Sequence, residues 1–470
     1  MHLRNIKKYS ECEFSNDKQI IGIFVKGKKN NYPATAHIRL LQIFDVISTD
    51  NLFLPCIIDF DEINNVKKDM NSNNFFADII IIQRDVLDSD FSKKLIDYCK
   101  LYDIKIIYEI DDDLLNIDES HPEYEYYLKS SEIIKFILEN SNAVTVSTEN
   151  LKEKLNSYNN NIFVIKNTLV PIWNEGAIFS HNKSNSNILK IGYMGTITHE
   201  NDIKIIEKSI ENVIDYFKKK NITVEFEVIG GTSKKLVSAK QINVPANSVV
   251  YPDFIRWLKK IVDWNIAIAP LDNNNLNSSK SEIKYLEYTA LGLPGIYSAV
   301  GSYKEVIEDG KNGIIVYNNE KSWTDNIIYL LENQRLQDKI RKNAKENVQK
   351  EYSMDVAVKY WKNILNANKR NKNSILYSKI KKFKESNCNV SFQEFLISES
   401  YNIIKESNLF DFNWYLSEYE DVKYNRLDPI YHYLKMGIFE QCKPNRQFEE
   451  YELDEHGLNP FVKYILYSGI

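Results

Sequence analysis

Glycine (15 residues) and proline (11) are scarce in this 470-residue chain, while lysine, asparagine, isoleucine and tyrosine are plentiful. Such a bias reads as that of an AT-rich genome and carries no functional information. The five cysteines, at positions 12, 56, 99, 388 and 442, lie far apart and form no CxxC pair. That argues against a zinc site or a disulfide framework and reads as reduced thiols in a cytosolic protein. No apolar run approaches membrane-spanning length; Ala77–Ile82 is strand-sized and flanked by polar residues. The N-terminus, M-H-L-R-N-I-K-K, lacks the apolar core of a signal peptide. A soluble, cytoplasmic protein is the expectation. The net charge of −5 gives no argument for nucleic acid as a partner.

What is present is length and rhythm. A chain of 470 residues is too long for one core and implies two large domains plus an extra piece. Ile20–Val25, Ala77–Ile82, Ile104–Ile110, Ala143–Ser147 and Phe163–Lys166 read as buried strands, and Ile38–Ser48, Phe91–Tyr102 and Ser131–Asn140 as helices between them. After the polar stretch 180–187 the rhythm restarts. Leu189–Met194, Val224–Ile229, Val249–Tyr251, Ile266–Ala269, Gly295–Ser298 and Gly313–Val316 read as strands. Asp202–Lys219, Asp253–Ile261 and Lys280–Leu291 read as helices. Alternation of this kind predicts an α/β fold with two parallel, doubly wound sheets, whose ligands bind at the carboxyl ends of the strands.

The stretch Asn277–Tyr303 (N-S-S-K-S-E-I-K-Y-L-E-Y-T-A-L-G-L-P-G-I-Y-S-A-V-G-S-Y) is the most informative. A helix here would start near Ser278 or Ser279 and stop at Gly292–Leu293–Pro294. Helical spacing puts Lys280, Lys284, Glu287 and Leu291 on one face and turns Glu282 away. Two lysines in a first turn oppose the helix dipole, and a bound anion such as a diphosphate reverses that penalty. A carboxylate one turn beyond could then grip a sugar hydroxyl. The competing reading is a surface helix with an ordinary Lys–Glu pair.

Glu287-Tyr288-Thr289-Ala290-Leu291-Gly292-Leu293-Pro294 resembles the E-A-x-A-x-G-x-P signature of GT-B glycosyltransferases similar to family 4. Gly301, Glu305, Asp309-Gly310 and Asn312-Gly313 continue the likeness. The resemblance implies a GT-B arrangement: two Rossmann-like domains facing a cleft, followed by a small, mainly helical C-terminal module. It implies an acceptor-side domain over 1–180, a nucleotide-sugar-binding domain over 187–352, and a crossover helix over 353–368 that returns to the first domain. A basic linker over 369–387 and a helical repeat module over 388–470 complete the chain. By the same resemblance Glu287 binds the nucleotide ribose, and the loop with Gly301 and Ser302 approaches the donor. No metal or other cofactor is expected, because basic groups and helix dipoles stabilise the leaving diphosphate in such enzymes, and transfer is expected to retain anomeric configuration. Two departures stand out. Ser279 occupies the place of the family's earlier acid. The loop Gly192–Asp202 offers Gly195, Thr196 and His199 where the family carries an arginine and a lysine. Lys280 and Lys284 then become the compensating charges.

Other residues fall at strand ends. Gly195 would let a diphosphate approach the backbone, and His199 either binds phosphate or sugar or simply starts a helix. Asp111-Asp112-Asp113 follow a strong strand, where one acid could orient or deprotonate an acceptor hydroxyl; helix capping is the plainer alternative. The segment Asn31–Arg39 resembles the family's loop that closes over the cleft, which implies that Arg39 holds donor or acceptor, with a structural salt bridge as the competing reading; His37 is the weaker candidate there. The run Lys369–Lys384 could rest on anionic lipid or be a solvated linker. In the tail, Asp428-Pro429-Ile430-Tyr431-His432-Tyr433-Leu434 recurs as Asn459-Pro460-Phe461-Val462-Lys463-Tyr464-Ile465, each copy reaching a glycine (Gly437, Gly469). It resembles a helical module appended to bacterial polysaccharide-building glycosyltransferases, with Asp/Asn-Pro starting helices and aromatics forming the seams. Packing on the catalytic domains, self-association and glycan binding are its candidate roles.

The expected function is transfer of a sugar from a nucleotide-sugar to a hydroxyl of a glycan, lipid-linked or protein acceptor in bacterial surface polysaccharide or glycoprotein biosynthesis. Catalytic candidates are Asp112, Asp113, His199 and Lys280. Donor-side candidates are Gly195, Thr196, Lys280, Lys284, Glu287, Gly301 and Ser302, and acceptor-side candidates are Arg39 and Asp111. A nucleotide-sugar epimerase and a non-catalytic partner of another transferase are the competing classes.

Overall fold

The structure, a computed structural model, describes residues 3–12, 18–72, 75–119, 121–174, 187–196, 200–230, 238–368, 392–425, 427–437, 440–448 and 459–467. His199, the basic stretch 369–384, Cys388 and Gly469 lie outside the described residues.

The first sheet has seven strands: β1 (Lys7–Lys8), β2 (Gln19–Phe24), β3 (Phe53–Ile58), β4 (Ile79–Gln83), β5 (Lys105–Glu109), β6 (Ala143–Val146) and β7 (Ile162–Val164). Their order is β1-β3-β2-β4-β5-β6-β7, with every pair parallel. Ile79, Ile80, Ile81 and Ile82 are all fully buried, because helices cover both faces and a strand so placed is apolar on both sides. Strand β3 was not foreseen. Pro55 breaks its pattern, and it is tolerated because the two-residue β1 ladder, Lys7 with Cys56 and Lys8 with Ile57, leaves the far side of Pro55 unpaired.

The second sheet has six strands: β8 (Ile188–Met194), β9 (Thr223–Ile229), β10 (Ala239–Ile242), β11 (Ile266–Ala269), β12 (Gly295–Ser298) and β13 (Ile314–Val316). Their order is β10-β9-β8-β11-β12-β13, again all parallel. In each sheet the strand order reverses once, between β2 and β4 and between β8 and β11, which is where such folds leave a crevice. Helix Met354–Ala367 returns to the first sheet: Trp361 is fully buried in that domain's core, edge-to-face with Phe44 at 5.0 Å between centroids. Two Rossmann-like domains with a returning helix are the GT-B arrangement.

Four expectations are corrected. Val249–Tyr251 is not a strand; Tyr251 begins helix Tyr251–Ile261, with Pro252 in its first turn. The true edge strand β10, A-K-Q-I, is too polar to stand out. The helix expected over Asp202–Lys219 is two pieces, Glu200–Lys204 and Glu207–Lys218. The helix expected from Lys280 begins at Ile283, because Asn274 caps a separate turn, Asn275–Ser278, and the chain unwinds before restarting. Finally, Cys12 and Cys56 are paired as a disulfide across a sequence separation of 44. The strand pairing of β1 with β3 brings together two cysteines that no local spacing connects; Cys99 and Cys442 are buried thiols.

The chain divides into two compact units: Met1–Asn65, Ala77–Ile96 and Lys105–Lys369, and Val66–Phe76, Asp97–Ile104 and Arg370–Ile470. The second unit has its own core of Ile404, Tyr415, Val422, Ile430 and Phe461. Its repeated helix starts behave as expected. Asp428 accepts from the Tyr431 N–H at 2.9 Å, and Asn459 accepts from the Phe461 N–H at 2.9 Å. Among the described residues no helix is long and apolar enough to cross a membrane.

Candidate active site

A cleft of about 800 Å³ opens between the carboxyl ends of the two sheets. From the first domain it is lined by Thr35, Arg39, Arg84, Asp111, Asp112 and His121, and from the second by Gly195, Gly230, Lys280, Lys284 and Glu287, among others.

On the second side the backbone makes a cradle. Gly195 follows β8 and Gly230 follows β9; the Gly195 N–H donates to Ile229 O at 3.1 Å. Gly230 has φ +78°, and a Cβ there would stand 2.6 Å from Gly195 O, so only glycine fits. Thr196 is exposed at its rim. Lys284 enters from the first turn of helix Ile283–Ala290, its ammonium 5.5 Å from the centroid of the Tyr193 ring. Burial lowers its pKa to about 8, against the opposing pull of Asp202 and Glu287. Burial likewise pushes the Glu287 carboxyl up to about 7, with Lys284 opposing. Two groups so shifted, side by side in a cleft, mark a candidate ligand site.

Lys280 also lines the cleft, from the loop before the helix and not from its first turn. Its carbonyl accepts from Ser302 Oγ at 2.9 Å. Gly301, at φ +53°, lets the chain pass against Asn277 and Ser278; a Cβ there would meet Asn277 O at 2.8 Å. Gly301 and Ser302 therefore buttress the lysine loop, and Tyr303 takes the place expected for them in the lining. Leu291 is buried in the second domain's core, and Glu282 is buried away from the cleft.

On the first side one arginine organises the acids. Arg84 Nη1 donates to Asp111 Oδ1 at 2.6 Å and Asp112 Oδ2 at 2.9 Å, and Nη2 donates to Tyr127 OH at 3.2 Å. Thr35 Oγ1 donates to Asp111 Oδ2 at 2.7 Å. Burial would raise the Asp111 carboxyl, but Arg84 and Arg39 hold it below its ordinary value. Asp111 is thus a committed anion, while Asp112 has only its Oδ2 on Arg84 and a side chain 34% exposed. Asp113 is corrected: its carboxylate is fully buried, bonded to Lys154 and Asn116, and absent from the cleft lining.

Arg39 sits in a widened helical turn, His37–Leu41, and its Nε donates to Glu109 Oε1 at 2.7 Å. Its Nη1 donates to Ile165 O and Asn167 Oδ1, while its buried Nη2 has no partner. Arg39 therefore makes the buried salt bridge of the plainer reading, and it is also among the residues lining the cleft. His37 is buried, stacked on Tyr251 at 5.8 Å, with its pKa lowered to about 4 by burial.

Sequence reading missed Arg84, His121, Asn167 and Gly230. Arg84 and Gly230 had a signal: each directly follows a strand of its sheet, where Rossmann-like sheets place their ligand groups. His121 and Asn167 are brought in by tertiary structure alone.

Residues 189–333 match the family model described as Glycosyl transferases group 1. A Staphylococcus aureus poly(ribitol-phosphate) alpha-N-acetylglucosaminyltransferase is 27% identical over 242 residues, 50% of this chain and 46% of its own. The chain thus spans about half the length of that curated relative. Among solved structures, Anabaena Alr3699/HepE in complex with UDP-glucose superposes with TM-score 0.52 at 11% identity, covering 74% of this chain and 99% of its own. The same Anabaena protein with UDP gives TM-score 0.51 at 10% identity, covering 74% and 100%. At such identities the likeness speaks to the fold. Residues 189–333 are thus similar to the glycosyl transferases group 1 domain, and the fold that contains them is GT-B.

Proposed function

We propose that this chain is a glycosyltransferase that moves a sugar from a nucleotide-sugar to a hydroxyl of a glycan, lipid-linked or protein acceptor in bacterial surface polysaccharide or glycoprotein biosynthesis. One observation carries the reading: buried Lys284, half-buried Glu287 and a glycine cradle face Arg84-held acids across a single cleft. The donor's diphosphate would lie along Gly195 and Gly230 with Lys280 and Lys284 on its charge, and its ribose on Glu287. A UDP-sugar is the first donor to try, because the Anabaena structure holds UDP-glucose.

In the reaction the bond from the anomeric carbon to the diphosphate oxygen breaks as the acceptor oxygen bonds that carbon on the same face that the diphosphate leaves. The lysines offset the charge gathering on the leaving diphosphate, a preorganised electrostatic stabilisation. Asp112 orients the acceptor hydroxyl and takes its proton. Transfer retains configuration and uses no metal. The basic stretch 369–384 would rest on anionic lipid, and residues 388–470 would pair two copies; vesicle flotation and sedimentation test these two contacts.

Release of nucleoside diphosphate from UDP-, GDP- and dTDP-sugars, with polyol and glycoside acceptors and with EDTA present, tests the activity. Turnover with one donor class, lost in Asp112→Asn, is the expected result. Absence of turnover with every donor and acceptor would overturn the assignment.

A further inference from the structure

Helix Glu149–Leu155, at the carboxyl end of β6, belongs to the first domain but grips the second domain's lysine loop. Its cap Thr148 donates from Oγ1 to Ser279 O at 3.0 Å, and Asn150 Oδ1 accepts from Ser279 Oγ at 3.0 Å. Lys154 in its last turn reaches three acceptors: Asp113 Oδ2 at 3.0 Å, Ser278 Oγ at 3.1 Å and Asn275 O. An ammonium has three N–H donors, so this side chain is fully spent. Its carboxylate partner is wholly buried, a state that such a group tolerates only when paired.

The two ends of this tie are both next to the site. Asp113 adjoins Asp112 in the acid loop, and Asn275–Ser279 runs directly into Lys280. Lys154 itself is not among the residues lining the cleft.

We propose that Lys154 is a positioning residue for the donor site: it ties the acid loop of the first domain to the loop that presents Lys280, so that donor affinity depends on a side chain the donor never touches. The proposal rests on the donor-site reading above. It also explains the third acid of Asp111–Asp113, which is an anchor for Lys154 and not a base.

The test is nucleotide affinity by calorimetry, using whichever of UDP, GDP or dTDP the wild-type protein binds. Lys154→Met is expected to weaken binding about tenfold, the ordinary size of coupling between linked sites. Ser278→Ala, which removes one acceptor, is expected to weaken it by a factor of about 3, and the double variant to be no weaker than Lys154→Met alone. A purely structural lysine would lower the melting temperature and leave affinity within about twofold in both variants, and that result overturns the proposal. Should Lys154→Met fail to fold, Ser278→Ala alone decides by the same criterion. Wild-type protein that binds no nucleotide overturns the donor-site reading and this proposal with it. Wild-type binding with unchanged affinity in the variants overturns this proposal alone.

Discussion

The Lys284 ammonium stands over the ring of Tyr193, 5.5 Å from its centroid. No carboxylate lies within ion-pair distance of it among the described residues, so the aromatic face and the more distant Asp202 and Glu287 are what offset its burial. A cation–π contact is worth less than a buried charge loses, and the lowered pKa of about 8 records the deficit. A diphosphate would supply the missing anion.

Lys284→Met should therefore stabilise the unliganded protein while weakening nucleotide binding by about ten- to a hundredfold. The folded pKa lies below the ordinary 10.5, so the charge penalty is fully present below about pH 8 and disappears as pH rises toward 10.5. Melting temperatures of the two proteins should differ most at pH 7 and converge at alkaline pH.

Glu287 gives the mirror-image test. Its pKa rises from 4.5 to about 7, so the folded protein binds the extra proton between those values and stability falls as pH climbs through them. Glu287→Gln should match wild type at pH 4 and exceed it by on the order of 2 kcal/mol at pH 8. Urea unfolding at the two pH values measures this; an equal gap at both would contradict it.

Arg84 predicts the opposite sign. Removing it in Arg84→Ala strips Asp111 of its main partner and should destabilise by about 3 kcal/mol at neutral pH. Asp111 is held below its ordinary pKa, so the pair's contribution is complete above about pH 4 and is lost as pH falls through the depressed value. The variant's deficit should shrink accordingly in acid, which thermal unfolding across that range checks.

Gly230→Ala would put a Cβ 2.6 Å from Gly195 O at a positive φ. The expected loss is about 1–3 kcal/mol of stability, with nucleotide affinity falling further than in a surface Gly→Ala control such as Gly310→Ala. Calorimetric titration of both variants separates cradle damage from general strain.

Much of this was legible from the chain. Apolar strands such as Ile79–Gln83 announce a sheet buried on both faces, and Gly292-Leu293-Pro294 marks where the lysine helix stops. What stayed hidden has physical causes. Pro55 disguised β3 because its tolerance depends on a two-residue neighbour. Asn274 capped its own short turn and so moved Lys280 off the helix it was expected to open. Asp112 and Asp113 could not be told apart, yet Arg84, Thr35 and Lys154 give the acids of this loop different states, and only folding brings those partners to them. The disulfide of Cys12 with Cys56 was invisible for the same reason.

The most direct test of the central claim is thermal stabilisation by a panel of UDP-, GDP-, dTDP- and CMP-sugars, with Lys280→Ala and Glu287→Ala alongside. A rise in melting temperature with one nucleotide class, lost in both variants, is the predicted result and names the base. No rise with any nucleotide, or a rise that both variants keep, would contradict a donor site at Lys280, Lys284 and Glu287.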